Sequence, residues 1–179
     1  MPSRFFLVEK CDSIIALDSS ERQDEFHRWA VSRLIRETQL DGMNSMDYID
    51  NAVILQEKIL ERHPNDIDEL IPMEILYSYV PNHQKVSEIA SRIYAILPSN
   101  EIGTLVDAMA FDTASRYTLG DYQGIVNLVK PKLDILFSQS PDNRRVDPMV
   151  DLADALIMLS KPKEAKKVID RIKAFVPDI

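Results

Sequence analysis

The sequence predicts an all-α fold, and three observations carry that expectation. Apolar residues recur with helical period almost everywhere, glycine is scarce at four in 179 residues, and helix breakers fall between the periodic stretches. No stretch alternates polar and apolar residues between hairpin-turn signals, although Arg4 to Val8 (RFFLV) has the composition of a short strand.

The elements follow in chain order. A short helix is expected near 12–18, then one over 21–40 in which Phe26, Trp29, Ala30, Arg33 and Leu34 keep helical spacing. Helices over 46–63 and 66–80 follow, the second striped by Ile67, Leu70, Ile71, Ile75, Leu76 and Tyr79. Val86, Ile89, Ala90 and Ile93 mark 84–97, and Ile102, Leu105, Val106, Met109, Ala110, Thr113 and Tyr117 mark 101–118. The pattern over 122–138 is interrupted by Pro131, and helices over 148–160 and 163–176 close the chain. Asn82, Gly120 with Asp121, and Pro162 each separate two helical patterns. Pro64, Pro98, Pro141 and Pro177 each follow one, because proline cannot continue a helix and disfavours helical geometry in the residue before it.

Composition bounds the function. A chain of this length buries a core without disulfides or metal, and the lone Cys11 allows no internal disulfide, which fits a reducing cytoplasm. The apolar run Phe5 to Val8 is too short for a signal-peptide core, and nothing approaches the length of a membrane span. Net charge is −8, and residues 41 to 121 hold fourteen Asp or Glu against five Lys or Arg. Nucleic acid is not an expected partner, because phosphate binding rests on clustered positive charge.

An internal period is visible. Pro64 and Pro98 are 34 residues apart, and Ala52, Gln56 and Ile59 stand at the same offsets before Pro64 as Val86, Ala90 and Ile93 before Pro98 and Ala165, Ile169 and Ile172 before Pro177. Leu55, Ile89 and Val168 share one further apolar offset.

This template resembles the second helix of the tetratricopeptide repeat, a helix-turn-helix closed by proline. Met149, Leu152, Ala153 and Leu156 fit the family's first-helix signature, and Ala165, Ile169 and Pro177 its second. Met73 and Tyr77 fit in the unit ending at Pro98, where Glu74 stands at a small-residue position and Pro72 lies inside the first helix. The turn Gly120-Asp121-Tyr122 is similar to the family's inter-helix turn, whereas Lys132 falls at a core offset of the helix that follows. The resemblance implies a right-handed stack of antiparallel helical hairpins over residues 43–179, with 1–42 as a helical extension packed on it. An irregular helical bundle is the alternative.

In the family, first helices line a concave groove. Carried over, the facing positions are Asp68, Ile71, Ile75 and Tyr79, then Asp107, Ala110, Ala114 and Thr118, then Asp147, Val150, Asp154 and Met158. The implied groove is apolar along its floor and acidic at one rim, suited to a basic, apolar segment of another protein. An aspartate near a helix N-terminus also reads as a cap or dipole partner. Family members that hold acidic chaperone tails present a cationic clamp at these positions, and this chain does not. Trp29 packs on the first hairpin or forms an exposed patch for a partner or a second copy. The terminal helix carries Lys163, Lys166, Lys167, Arg171 and Lys173 against Glu164 and Asp170, and reads as a solvated end cap or a membrane or partner contact.

Signals for catalysis and cofactors are missing. His27, His63 and His83 have no metal-ligand spacing, and Asp147, Asp151 and Asp154 share a helix face but lack the loop that wraps a hard cation. Ser160 to Lys163 (SKPK) matches a penicillin-binding signature by coincidence, without its companion motifs. The expectation is a non-catalytic, cofactor-free cytoplasmic adaptor or chaperone-like protein, similar in size and architecture to bacterial secretion chaperones. An assembly subunit of a permanent complex is the alternative, and an all-helical enzyme the third.

Overall fold

A computed structural model describes residues 20–41, 46–80, 82–98, 100–138 and 143–176. These residues are helical or connect helices, with no strand among them. The helices are α1 (Ser20–Asp41), α2 (Met46–Arg62), α3 (Ile67–Tyr79), α4 (His83–Ile96), α5 (Ile102–Thr118), α6 (Tyr122–Val129), α7 (Leu133–Phe137), α8 (Asn143–Met158) and α9 (Pro162–Phe175). A 3-10 turn, Lys130–Lys132, joins α6 to α7 at Pro131, whose missing N–H and fixed φ end the regular helix. The helix expected near 12–18 lies outside the described residues.

Pro148 does not begin its helix as the sequence suggested. It lies inside α8, which starts earlier, at Asn143, and Pro72 likewise lies inside α3. Each proline is the sixth residue of its helix, one to two turns from the N-terminus, and leaves the carbonyl four residues earlier, of Asp68 and of Arg144, without a backbone N–H from that position.

The chain divides into two compact units, Met1–Pro81 and Asn82–Ile179. In the first, α1 packs on α2 and α2 on α3. Ala30, Val31 and Leu34 meet Ile49, Ala52, Leu55 and Leu76 in one apolar cluster. Two buried carboxylates pin these helices together. Asp24 of α1 accepts from Arg62 Nε at 2.7 Å and from His63 Nε2 at 2.6 Å. Arg62 also donates to His27 Nδ1 at 3.1 Å, which puts the neutral ring's proton on Nε2. Glu69 of α3 is held by Arg28 and by Gln56, whose Nε2 donates to the Glu69 carboxylate at 3.0 Å and to its carbonyl at 2.9 Å. Gln56, the one polar residue at the shared core offsets, is therefore buried with its amide satisfied.

In the second unit α5 packs against α4, α6 and α8; α8 also packs against α6 and α9. Val106, Met109, Ile125, Leu136, Met149, Leu152 and Leu156 form its core, which α9 covers with Ala165, Val168 and Ile172. Phe137 and Phe175 meet edge to face at 5.4 Å, and Arg171 stacks over Phe137 while pairing with Asp134 at 2.9 Å. Of the residues at the shared offsets before the prolines, all are buried except Ile169, which is half-buried. Lys132, at the odd core offset, is half-buried; its ammonium reaches over the Tyr94 ring and donates to the Leu128 carbonyl at 3.2 Å, so the charge keeps polar and aromatic partners.

The hairpins α5–α6 and α8–α9 have matching turns at an offset of 40 residues. Asp121 N donates to Arg116 O and Lys161 N to Leu156 O, each at 2.8 Å; Gly120 N donates to Tyr117 O at 3.0 Å and Ser160 N to Ile157 O at 2.9 Å. These bonds satisfy carbonyls left open at the helix ends, and they require a left-handed residue at the turn. Gly120 has φ of 75° and Ser160 φ of 58°, so a non-glycine carries this geometry in the second hairpin.

Candidate functional site

Helices α5 and α8 bring several of the expected groove residues together around a cavity. Between them lies an open depression of about 450 Å³ lined by Asp107, Ala110, Phe111, Ala114, Asp147, Val150 and Asp151. Five of these seven were expected from the sequence. The matching turns explain the placement: Asp107 and Asp147 share one register, as do Ala110 and Val150, and Ala114 and Asp154. Small side chains on α5 keep the floor open, while α8 presents Asp147, Val150 and Asp154 to solvent.

The remaining expected residues are placed as follows. Thr118 is exposed near the end of α5, its hydroxyl donating to the Ala114 carbonyl at 3.0 Å, and Met158 is 52% exposed at the end of α8. Asp68, Ile71, Ile75 and Tyr79 belong to the first unit, where Asp68 and Tyr79 are exposed and the two isoleucines half-buried. Trp29 is 60% exposed and tilted against Phe26 at 5.6 Å, so its ring is not part of the apolar cluster that α1 makes with α2.

Capping accounts for neither aspartate of the depression. Asp107 lies in the second turn of α5, whose N-cap is Glu101, and Asp147 is one turn into α8. In α3 the cap is Asp66, which accepts from Asp68 N at 3.0 Å, rather than Asp68 itself.

Two residues of the depression were not among the expected groove positions. Phe111 follows Asp107 by one turn and lines the depression beside Ala110 and Ala114, a position that helical spacing alone would have disclosed. Asp151, read in the sequence only as a member of an acidic stripe, accepts from Thr113 Oγ1 at 2.5 Å. Thr113 is fully buried, so this bond couples the depression to the core. Burial raises the Asp151 carboxyl above the ordinary carboxylate value; the Thr113 bond opposes that rise, and the charges of Asp147 and Asp154 add to it. Burial likewise raises Asp147. An acidic helix face that destabilises its own ionised form is one that a cation would relieve.

Beneath it, Asp112 anchors a separate network. Fully buried, it accepts from Arg116 Nε at 2.9 Å and from the Tyr94 hydroxyl at 3.2 Å. Arg116 continues to Asp121 at 2.7 Å, and Asp121 caps α6 by accepting from Gly124 N at 2.9 Å. This chain of bonds sets the angle at which α6 leaves α5.

Among the described residues no group of three or more His, Cys, Asp or Glu side chains is arranged to hold a metal ion. No helix among them is long and apolar enough to cross a membrane. Comparison with protein-family profiles, curated proteins and solved structures gave no match.

Proposed function

We propose that this chain is a non-catalytic, tetratricopeptide-like interaction module of the cytoplasm that holds a basic, apolar segment of another protein in the depression between α5 and α8. The observation that carries the reading is that depression, which three carboxylates line together with two alanines, a phenylalanine and a valine. Two features of the second unit support the hairpin-stack part of it. First helices α5 and α8 pack on each other, and their hairpins close with the same turn.

Relative magnitudes assign roles to the two halves of the site. Exposed ion pairs contribute about 0.2–1 kcal/mol each, whereas seating one aliphatic or aromatic side chain contributes about 1.5–3 kcal/mol. The apolar floor therefore supplies most of the affinity, and the carboxylates supply orientation, encounter rate and rejection of acidic partners. Preformed helices add to affinity because little ordering remains to be done on binding.

The test is a thermal-shift and calorimetric titration with peptides that carry Lys or Arg beside apolar anchors. Binding is expected for the parent and lost when Asp107, Asp147 and Asp154 are replaced together by lysine. A triple variant that binds as tightly as the parent refutes the acidic groove.

A second reading, an assembly subunit of a permanent complex, is favoured by the exposure of Trp29 beside Phe26. It predicts copurification in fixed stoichiometry that depends on Trp29 and ignores the three aspartates.

A further inference from the structure

The hairpin α8–α9 separates its charges. On α8, Asp147 and Asp154 are exposed and make no hydrogen bond or ion pair within the described residues. On α9, Lys166 pairs with Asp170 and Arg171 with Asp134, while Lys163, Lys167 and Lys173 are exposed and unpaired within the described residues. Ala165, Val168 and Ile172 hold α9 against the core, and no lysine lines the depression. The lysines of α9 thus do not occupy the depression of their own copy.

We propose that a second copy of the chain docks here, the exposed lysine face of its α9 lying in the α5–α8 depression. Charge complementarity selects this occupant, because a +3 helix meets an acidic concavity in a protein whose net charge is −8. Lysine suits the floor as well as the rim. Its methylene stem lies along Ala114 and Val150 while the ammonium reaches the carboxylates. Since the two surfaces differ, each contact is heterologous and leaves one surface free unless the assembly closes. The inference shares its groove with the proposed function but needs no foreign partner; a peptide ligand and a second copy would compete.

Sedimentation velocity of the full chain over a range of concentrations provides the test, with two exposed-charge variants, K163E/K167E/K173E and D147K/D154K. The parent is expected to associate with concentration, and the association to weaken roughly tenfold as salt rises from about 0.05 to 0.5 M. Each variant alone is expected to stay monomeric. Mixed, they should form a 1:1 complex, since one retains the depression and the other the lysine face. A parent that is monomeric throughout, variants that associate like the parent, or a mixture that stays monomeric each overturns the inference. A monomeric parent that still binds the basic, apolar peptide would remove this inference alone and leave the proposed function standing.

Discussion

Asp107 and Asp147 occupy the same register of successive hairpins and line one depression. Both are held there by backbone geometry, because the turns that follow their helices repeat bond for bond. The consequence is a concentration of negative charge over an apolar floor that neither helix presents alone.

That arrangement predicts a conflict between stability and binding at Asp151 and Asp147. Their folded-state carboxyl values are raised, so the ionised forms oppose folding. Their contribution to stability is present below the ordinary value of 3.8 and is lost as pH rises through the raised folded value. Asp151→Asn, which can still accept from Thr113, should unfold at or above the parent's denaturant midpoint at neutral pH while binding a cationic peptide more weakly. Urea titration and calorimetry on the same sample check both halves.

Asp24 behaves in the opposite sense. Burial alone would raise its carboxyl, but the bonds from His63 and Arg62 outweigh that and hold it below 3.8. Its contribution is therefore present above the ordinary value and is lost as pH falls through the lowered one. Asp24→Asn should cost about 2–3 kcal/mol at neutral pH, as expected for a charge-assisted buried bond, and the difference from the parent should shrink below pH 3.8. Equilibrium urea unfolding at several pH values measures it.

Ser160 pays for a left-handed backbone with no glycine to ease it. A non-glycine residue there costs about 1–2 kcal/mol, and glycine gives back about 0.5–1 kcal/mol in unfolded-chain entropy. Ser160→Gly should therefore raise stability by about 0.5–1 kcal/mol, and Gly120→Ala, at the matching position, should lower it by a similar amount. Opposite shifts in thermal midpoint are the expected outcome.

Gly124 is needed for a different reason. A Cβ there would lie 1.9 Å from Asp121 Oδ2 and 2.6 Å from Arg116 Nη1. The Asp121 carboxylate must move, losing the cap of α6 and its bridge to Arg116. Gly124→Ala should cost about 1–2 kcal/mol despite alanine's higher helix propensity. In a double-mutant cycle with Asp121→Ala the losses should not add, because both remove the same bonds.

Much of the fold was legible because helix and connector differ chemically here. The helix ends near Arg62, Ile96 and Thr118 follow from Pro64, Pro98 and Gly120, and the template residues proved to be core. Less legible were Pro72 and Pro148, which lie inside helices whose neighbouring residues Leu70, Met73, Val146 and Met149 are buried, so tertiary burial outweighs proline's local cost. How a buried Gln56 satisfies its amide was not legible, because its partner, Glu69, comes from the next helix. Five lining residues of the depression followed from the repeat register, whereas the Asp151–Thr113 bond depends on how α5 and α8 face each other, which no single-helix pattern encodes. Trp29 shows the limit of periodicity: helical spacing placed it with Phe26 but did not say which side of α1 faces solvent.

The central claim is most directly tested by hydrogen–deuterium exchange of the full chain with and without a saturating basic, apolar peptide. The account predicts slowed exchange concentrated in α5 and α8 around Asp107, Ala114, Asp147 and Val150. Protection confined to α1 around Trp29, or no protection at saturation, would contradict it.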